Sequence, residues 1–369
     1  MDKHAYSSPG APTMEAGGHA LRKSGQAAIS SPGTERRRAP DTDGPRLRAS
    51  VVVPTCGRAD LLNRCLAALT AQTLRGPDVE ILVVDDAPSP ATRGVVGQWT
   101  EKMALRGLDV IYVANHGRHG PAAARNCGWR AARGDIIAFT DDDTVPDANW
   151  LRNGLSAFGP EVDALRGGVT MPLPDTPTDY EKDASHLETA EFVTANCFCR
   201  KEVLRALGGF DEQFRLAWRE DSDFHFRLLA HGFRIGHAPQ ALVVHPVRPA
   251  KWGVSISQQK KIQFDALLYK KHPRMYRQKI RATPRWDYYL IVASLLAAVI
   301  GLALGHMPLA AAGAAIWLGM TAWLCRTRLQ NTTKTASHVL EMALTSAAIP
   351  VLAVVWRMVG AVRFRVLFL

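Results

Sequence analysis

Four short runs of apolar and β-branched residues restrict this chain more than anything else in it. They are Val51-Val52-Val53-Pro54, Ile81-Leu82-Val83-Val84, Val110-Ile111-Tyr112-Val113 and Ile136-Ile137-Ala138-Phe139. Each has the length and composition of a buried strand. Helical spacing fills the gaps between them. Asp60 is placed to cap a helix in which Leu62, Cys65, Leu66 and Leu69 recur on one face; residues 91–106 read as a second helix, and Pro121 opens a third. Strand and helix alternate, so the chain predicts a parallel sheet with helices on both faces. Ligands of such sheets bind at the carboxyl ends of the strands. Thr55, Asp86 and Asp141 to Asp143 all fall at those ends.

Asp141-Asp142-Asp143 closes the fourth run. Adjacent carboxylates repel one another unless a positive charge sits among them, and a divalent cation is the usual solution. An ion held by one or two carboxylates keeps coordination sites open for phosphate oxygens. A second acidic cluster follows at Glu220-Asp221-Ser222-Asp223. We read one cluster as gripping a metal and a diphosphate, and the other as supplying a general base. The competing reading of each is a solvated loop or a helix cap. Between the clusters and beyond, 167–170, 193–195 and 241–245 predict strands, and 201–207 and 221–231 predict helices.

The net charge of +11 over 369 residues is unevenly placed. From Arg248 to Asp287 there are eleven Lys or Arg against two acidic residues, directly before the first long apolar stretch. Such a block marks the cytoplasmic flank of a membrane segment and attracts anionic head groups. No recognition helix or aromatic RNA-binding motif accompanies it, so nucleic acid is not an expected partner. Trp286 to Gly305 and Met307 to Leu324 are of bilayer-spanning length and form a tight hairpin, closed by Arg326 and Arg328. A third stretch, His338 to Trp356, contains Glu341 and Pro350. A full crossing there would put Arg357, Arg363 and Arg365 outside, so an interfacial or re-entrant helix is favoured over a third span. The six cysteines show no metal-binding spacing and fit a reduced, cytosolic setting. The expected organisation is a disordered tail (1–48), a catalytic domain (49–250), a basic juxtamembrane segment (251–285), a transmembrane hairpin (286–325) and a last interfacial or membrane helix (326–369).

Seven motifs occur in order: Val-Val-Val-Pro-Thr-Cys-Gly-Arg at 51–58, Val-Val-Asp-Asp at 83–86, Gly-Pro-Ala-Ala-Ala-Arg-Asn at 120–126, Phe-Thr-Asp-Asp-Asp at 139–143, Gly-Gly-Phe-Asp-Glu at 208–212, Arg-Glu-Asp-Ser-Asp at 219–223 and Val-Val-His-Pro at 243–246. Through them the stretch from Val51 to Pro246 resembles the family-2 glycosyltransferases. The resemblance implies a doubly wound, Rossmann-like α/β nucleotide-diphospho-sugar transferase domain, here followed by a C-terminal membrane-associated helical region. It implies a nucleotide-diphosphate sugar donor, a Mg or Mn cofactor and inversion at the anomeric carbon. Pro54, Thr55, Arg58 and Asp86 are implied to form the nucleotide pocket. Arg125 is implied to lie close by, an ion pair within its helix being the alternative. Asp143 is the implied metal ligand, with Asp141 nearer the ribose and Asp142 assisting either. His245 either completes the metal sphere or is a packed side chain. Asp221 corresponds to the catalytic base, and Glu220 beside it orients the acceptor or is simply a helix N-terminal acid. Trp218 stacks on a sugar or belongs to the core. Gly208-Gly209-Phe210 shapes the acceptor side, and Arg248 and Lys251 belong to a loop closing over the diphosphate.

Two departures bear on the nucleotide contacts: Cys56 stands where relatives carry an aromatic residue, and Ala87-Pro88-Ser89 replaces a common Gly-Ser. The chain lacks the Gln-x-x-Arg-Trp signature of processive synthases, which implies one sugar per encounter. The expectation is a membrane-anchored glycosyltransferase at the cytoplasmic face, using a UDP-sugar and a lipid-linked or cell-envelope glycan acceptor. The juxtamembrane cations suit a polyprenyl phosphate and equally serve as topology signals. A nucleotidyltransferase needs a Gly-rich basic loop after the first strand, of which Pro54 to Arg58 is a poor version. A non-catalytic scaffold predicts eroded acids. A dehydrogenase is disfavoured, because no Gly-x-Gly-x-x-Gly follows the first strand.

Overall fold

A computed structural model describes residues 48–368, apart from 75 and 77. The tail expected over 1–48 therefore lies, Arg48 excepted, outside the described residues. The elements run β1 (Ala49–Thr55), α1 (Ala59–Thr70), β2 (Val79–Asp85), α2 (Pro90–Ala104), β3 (Asp109–Ala114), α3 (Pro121–Ala131), β4 (Ile136–Thr140), β5 (Val145–Pro146), α4 (Trp150–Ser156), β6 (Ala164–Thr170) and α5 (Asp179–Ala184). There follow β7 (Asn196–Arg200), α6 (Lys201–Leu207), α7 (Glu220–Ala230), β8 (Ile235–Val244), α8 (Val254–Gln258), α9 (Gln263–Lys271), α10 (Pro273–Met275), α11 (Trp286–Ala303), α12 (Met307–Arg328) and α13 (Ala336–Phe364).

The strands form one eight-stranded sheet in the order β3-β2-β1-β4-β7-β6-β8-β5. The four apolar runs are its parallel part: Val51 pairs with Ile81 and with Ala138, and Ile81 with Val110. Beyond β4 the all-parallel expectation fails. β7 runs antiparallel to both β4 and β6, and β5 antiparallel to β8. Antiparallel neighbours need no crossover helix, so the order of strands and helices does not give the strand directions here. Residues 193–195, expected as strand, form the turn into β7. The strand itself starts at Asn196, whose buried amide donates to Gly168 O (2.6 Å) and Ala241 O (2.7 Å) and accepts from Trp150 Nε1 (2.8 Å).

Alternate residues of each central strand face opposite layers. Val51, Val53, Ile81, Val83 and Ala138 meet α1, α2 and α4, whereas Val52, Leu82, Val84, Ile137 and Phe139 meet α3, α6 and α7. The sheet is thus covered on both faces, a Rossmann-like arrangement. Asp60 sits inside the first turn of α1, not at its cap; the capping residue is Arg58, whose side chain makes no cap bond because it reaches into the site. A third apolar cluster, including Phe214, Phe226, Phe264, Tyr276 and Phe368, joins α7 to α9 and to the end of the chain.

α11, α12 and α13 are each long and apolar enough to cross a membrane. α11 and α12 touch closely: a Cβ on Gly313 would lie 2.6 Å from Ala298 N, so only glycine allows the approach. The hairpin returns to the α/β part of the chain, where Arg328 Nη2 meets Asp179 Oδ2 at 2.8 Å. α13 is longer than the expected 338–356 and runs unbroken through Pro350. It lies along the basic segment: Glu341 accepts from Gly253 N (2.7 Å), Arg363 donates to Gln263 Oε1 (2.7 Å), and Lys270 donates to Phe364 O (2.8 Å).

Candidate active site

The end of β4 delivers the three adjacent aspartates to different partners. Asp141 and Asp143 converge with His245, which follows β8, and one ligand atom from each lies within 4.8 Å of the others. His245 Nε2 is 3.6 Å from Asp143 Oδ1, and its buried Nδ1 has no hydrogen-bond partner among the described residues. Two carboxylates and an imidazole are a donor set that suits a divalent cation. Arg248 Nε also reaches Asp143, at 3.0 Å, from the loop after β8. Asp142 points the other way. It is fully buried, accepts from Thr55 Oγ1 at 2.6 Å and pairs with Arg58 Nη2 at 2.8 Å. Burial pushes its carboxyl up to about 7, against the pull of Arg58 and Thr55. Asp142 therefore ties the end of β1 to the end of β4. The side chains of Thr55 and Arg58 hold this aspartate, and a ligand at Pro54-Thr55 would meet mainly main chain.

Arg125, on α3, joins the two acidic clusters. Its Nη2 donates to Asp141 Oδ1 at 2.7 Å and its Nη1 to Glu220 Oε1 at 3.2 Å, with the side chain 3% exposed. The pairing is between elements, not within the helix. Burial alone disfavours the guanidinium charge, but Asp141 and then Glu220 more than reverse this. In return, Arg125 and then His245 hold Asp141 below its ordinary range although burial pushes it up. Glu220 is buried and turned toward Arg125. Burial, then the charge of Asp221, pushes it up to about 7. Asp221 is half-buried, is raised by burial, and accepts from Ser222 N at 2.6 Å. Both Asp141 and Asp221 line one cavity of about 400 Å³, together with Arg125, Trp218, Arg219 and Glu220.

The turn ahead of α7 is strained. Arg219 has φ 74°, a left-handed conformation that is unfavourable for a side-chain-bearing residue. It is held there by Asp265 of α9, 2.7 Å from Arg219 Nε, which also accepts from Trp218 Nε1 at 3.0 Å. Trp218 is thus half core and half cavity wall. After β2, Asp86 accepts from Asn115 Nδ2 and from Gly120 N, each at 2.8 Å. Gly120 has φ 121°, and a Cβ there would lie 2.8 Å from Arg215 O, so the motif at 120–126 needs its glycine. Asn126 continues the same motif by pairing with Phe210 through both N–H and C=O, at 2.8 Å each.

Sequence reading missed one cluster altogether. Asp223 is fully buried and meets Lys271 Nζ (2.6 Å), Arg227 Nε (2.8 Å) and His272 Nε2 (3.0 Å). Burial pushes Asp223 up, but His272, Arg227 and Lys271 outweigh it and hold the carboxyl at about 2. It fastens α7, which carries Asp221, to the basic segment. The spacing of the acids gave no signal of this, since Lys271 is remote in sequence.

Residues 50–207 match the model of glycosyl transferase family 2, and residues 136–356 that of glycosyl transferase family group 2. Glycosyltransferase AglE of Haloferax volcanii is 29% identical over 212 residues, 54% of this chain and 67% of that protein. Validoxylamine A glucosyltransferase of Streptomyces hygroscopicus is 28% identical over 221 residues, 50% of this chain and 51% of that one. The chain thus spans about two thirds of the first relative and about half of the second. Among solved structures, the mannosyltransferase PcManGT from Pyrobaculum calidifontis, in complex with GDP-Man and Mn2+, shares the fold with a TM-score of 0.50 at 22% identity, over 84% of this chain and 89% of that one. With one family model matching residues 50–207 and the second spanning more than half its length, the chain belongs to the family 2 glycosyltransferases.

Proposed function

We propose that the protein transfers one sugar at a time from a nucleotide-diphosphate sugar to a lipid-linked or cell-envelope glycan acceptor, with inversion, at the cytoplasmic face of a membrane. The observation that carries this reading is Arg125, which bonds Asp141 of the Asp141–Asp143–His245 set and Glu220 beside Asp221, with Asp141 and Asp221 lining one cleft. Asp143, Asp141 and His245 would hold Mg or Mn. Bound there, the cation would neutralise the diphosphate as it leaves. Asp86, the Pro54-Thr55 main chain and the loop at 115–120 receive the nucleotide, and Arg248 approaches the diphosphate from the other side. Asp221 takes the acceptor proton as the acceptor oxygen bonds to the anomeric carbon and the bond to the diphosphate oxygen breaks. Glu220 is held by Arg125, so Asp221 is the carboxylate left free at the acceptor side. One free carboxylate fits a single displacement, hence inversion. The nucleotide is read as UDP; GDP-mannose, the ligand of the Pyrobaculum neighbour, is the alternative to set beside it. No observation favours a nucleotidyltransferase, since Arg58 of the first turn is engaged by Asp142.

The membrane reading rests on the hairpin's two ends. Arg285 precedes α11, and Arg326 and Arg328 end α12 beside the catalytic domain. α13 is read as lying in the membrane plane. From Glu341 to Phe364 it spans about 35 Å at 1.5 Å per residue, and polar groups of the basic segment touch it at both ends. Its buried side carries Thr345, Ser346 and Arg357, while Leu340, Leu344, Val355 and Val362 are exposed.

Asp221→Asn tests the assignment. A thermal-shift screen of UDP- and GDP-sugars with Mg or Mn identifies the donor by the rise in melting temperature. The variant should show the same rise as wild type and lose transfer by at least about 100-fold. Full turnover in Asp221→Asn refutes the base; no response to any nucleotide sugar refutes the donor class.

A further inference from the structure

Behind the wall formed by Trp218, Arg219 and Ile280 lies a second cavity, of about 300 Å³; the same three residues line both. Its other walls come from the basic segment, from Tyr288 and Tyr289 at the start of α11, and from α13. The charges facing it do not balance. Lys261, Arg219, Arg281, Arg285 and Arg357 confront only Asp183 and Asp265. Asp265 is engaged by Arg219 (2.7 Å), and Arg285 by Asp287 (2.6 Å). Among the described residues, Lys261, Arg281 and Arg357 form no ion pair.

Arg357 is the telling member. It is 6% exposed, and its Nη1 is buried with no hydrogen-bond partner among the described residues. One face of the guanidinium stacks on Phe368, 4.6 Å from the ring centre, which fixes the group without neutralising it. A buried charge without a counter-charge is strongly unfavourable, so the cavity is suited to an anion. The neighbours agree. Burial, then Arg285 and Arg357, lower Arg281; burial, then Arg248, lowers Lys261. The depth is informative as well. Tyr288 and Tyr289 lie where the chain enters α11, and Trp286 is 61% exposed beside them, the aromatic pattern of head-group level. Guanidinium groups with an ammonium match a phosphate better than a single carboxylate.

We propose that this cavity binds the phosphate head group of the lipid-linked acceptor, with Arg357, Arg281 and Lys261 as its ligands, so that the accepting group passes Trp218 to reach Asp221. The inference rests on the lipid-acceptor reading above and makes it specific: the lipid is recognised by its phosphate, on the membrane side of the catalytic cleft.

The test uses the full chain in detergent micelles, with a short-chain polyprenyl monophosphate, the corresponding polyprenol and inorganic phosphate as probes. The phosphate ester should bind at least about 10-fold more tightly than the alcohol, and more tightly than inorganic phosphate. Arg357→Gln and Arg281→Gln should each weaken the ester at least about 10-fold, with nucleotide-sugar binding unchanged. Arg281 is exposed, so its variant carries the test if Arg357→Gln fails to fold. Equal binding of ester and alcohol overturns the proposal. So does inorganic phosphate binding as tightly as the ester, or a folded Arg281→Gln that binds the ester like wild type. A lipid-phosphate-linked glycan that binds through Arg357 yet receives no sugar would instead sink the acceptor reading and leave the site standing. Transfer to a lipid-phosphate-linked glycan, unaffected in a folded Arg281→Gln, would sink the site and leave the glycosyltransferase reading intact.

Discussion

Replacing Arg125 by Met keeps most of the side-chain volume and removes the charge that joins two acids. In the wild type, the guanidinium is 3% exposed and serves Asp141 at 2.7 Å and Glu220 at 3.2 Å. Removing one partner of a buried ion pair leaves an uncompensated charge and costs about 3–5 kcal/mol. For a domain of roughly 200 residues, each kcal/mol lowers the melting temperature by about 2–4 °C, so a fall of about 6–20 °C is expected. Arg125→Lys should fall between, because one ammonium cannot span both carboxylates and one charged hydrogen bond, about 1.5–3 kcal/mol, is lost. The double variant Arg125→Met/Glu220→Gln removes one of the stranded charges and should recover at least about 1 kcal/mol over Arg125→Met alone. Fluorescence-detected unfolding of the full chain in detergent, without nucleotide, reads all three. A melting temperature for Arg125→Met within about 2 °C of wild type, a shift worth at most about 1 kcal/mol, refutes the reasoning. A double variant no more stable than the single refutes the placement of Glu220.

Glu220, raised to about 7, and Asp221, also raised, share one pocket, so catalysis should weaken as pH falls through about 7, where the pair takes up a proton. In Glu220→Gln a like charge disappears and Arg125 is freed, so the acid limb of kcat/KM should move to lower pH; an unmoved limb contradicts the coupling. Asp143→Ala should abolish the part of nucleotide-sugar binding that depends on Mg or Mn, read by thermal shift, and identical shifts with and without its carboxylate would remove Asp143 from the metal set. For Asp223 the folded carboxyl is depressed from 3.8 to about 2, so its stabilisation of about 2 kcal/mol is present at neutral pH and lost as pH falls through about 2. Asp223→Asn should therefore be less stable at pH 7 by at least that amount, the gap from wild type closing in acid; a gap independent of pH refutes the ion cluster.

Local signals were legible and non-local ones were not. The runs in β1, β2 and β4 are buried on both faces, so their apolar composition announces them, while the run in the edge strand β3 is mostly half-buried. β7 begins with Asn196, a polar residue that is buried only because two neighbouring strands and Trp150 satisfy its amide; nothing adjacent in sequence reveals that. Asp60 has the composition of a cap, but the turn before α1 is set by Arg58 reaching across to Asp142. α13 outruns its apolar window because Arg357 lies over Phe368 and Arg363 bonds Gln263, partners distant in sequence. In the site, both acidic clusters were readable as motifs at strand and helix ends. Their division of labour was not: Asp142 and Glu220, alike in sequence to Asp143 and Asp221, face the interior and hold Arg58 and Arg125.

The inward-facing acids explain how a cleft rich in carboxylates keeps its shape. Asp142 closes β1 on β4, Glu220 closes α7 on α3 through Arg125, and Asp223 closes α7 on the basic segment. Each stands one or two residues from Asp143 or Asp221; Asp221 lines the cavity, and Asp143 meets His245 and Arg248. Helix geometry accounts for the second set: Glu220, Asp221 and Asp223 lie about 100° apart per residue along the first turn of α7, so they point to different surroundings. The strained Arg219 then sets the direction from which that turn starts, and Asp265 of the membrane-side helix holds Arg219 in place. The proposed base is therefore positioned by α9 at its N-terminal side and by Lys271 and His272 beneath it. A shift of the basic segment against the α/β domain would carry Arg219 and Asp223 with it and displace Asp221.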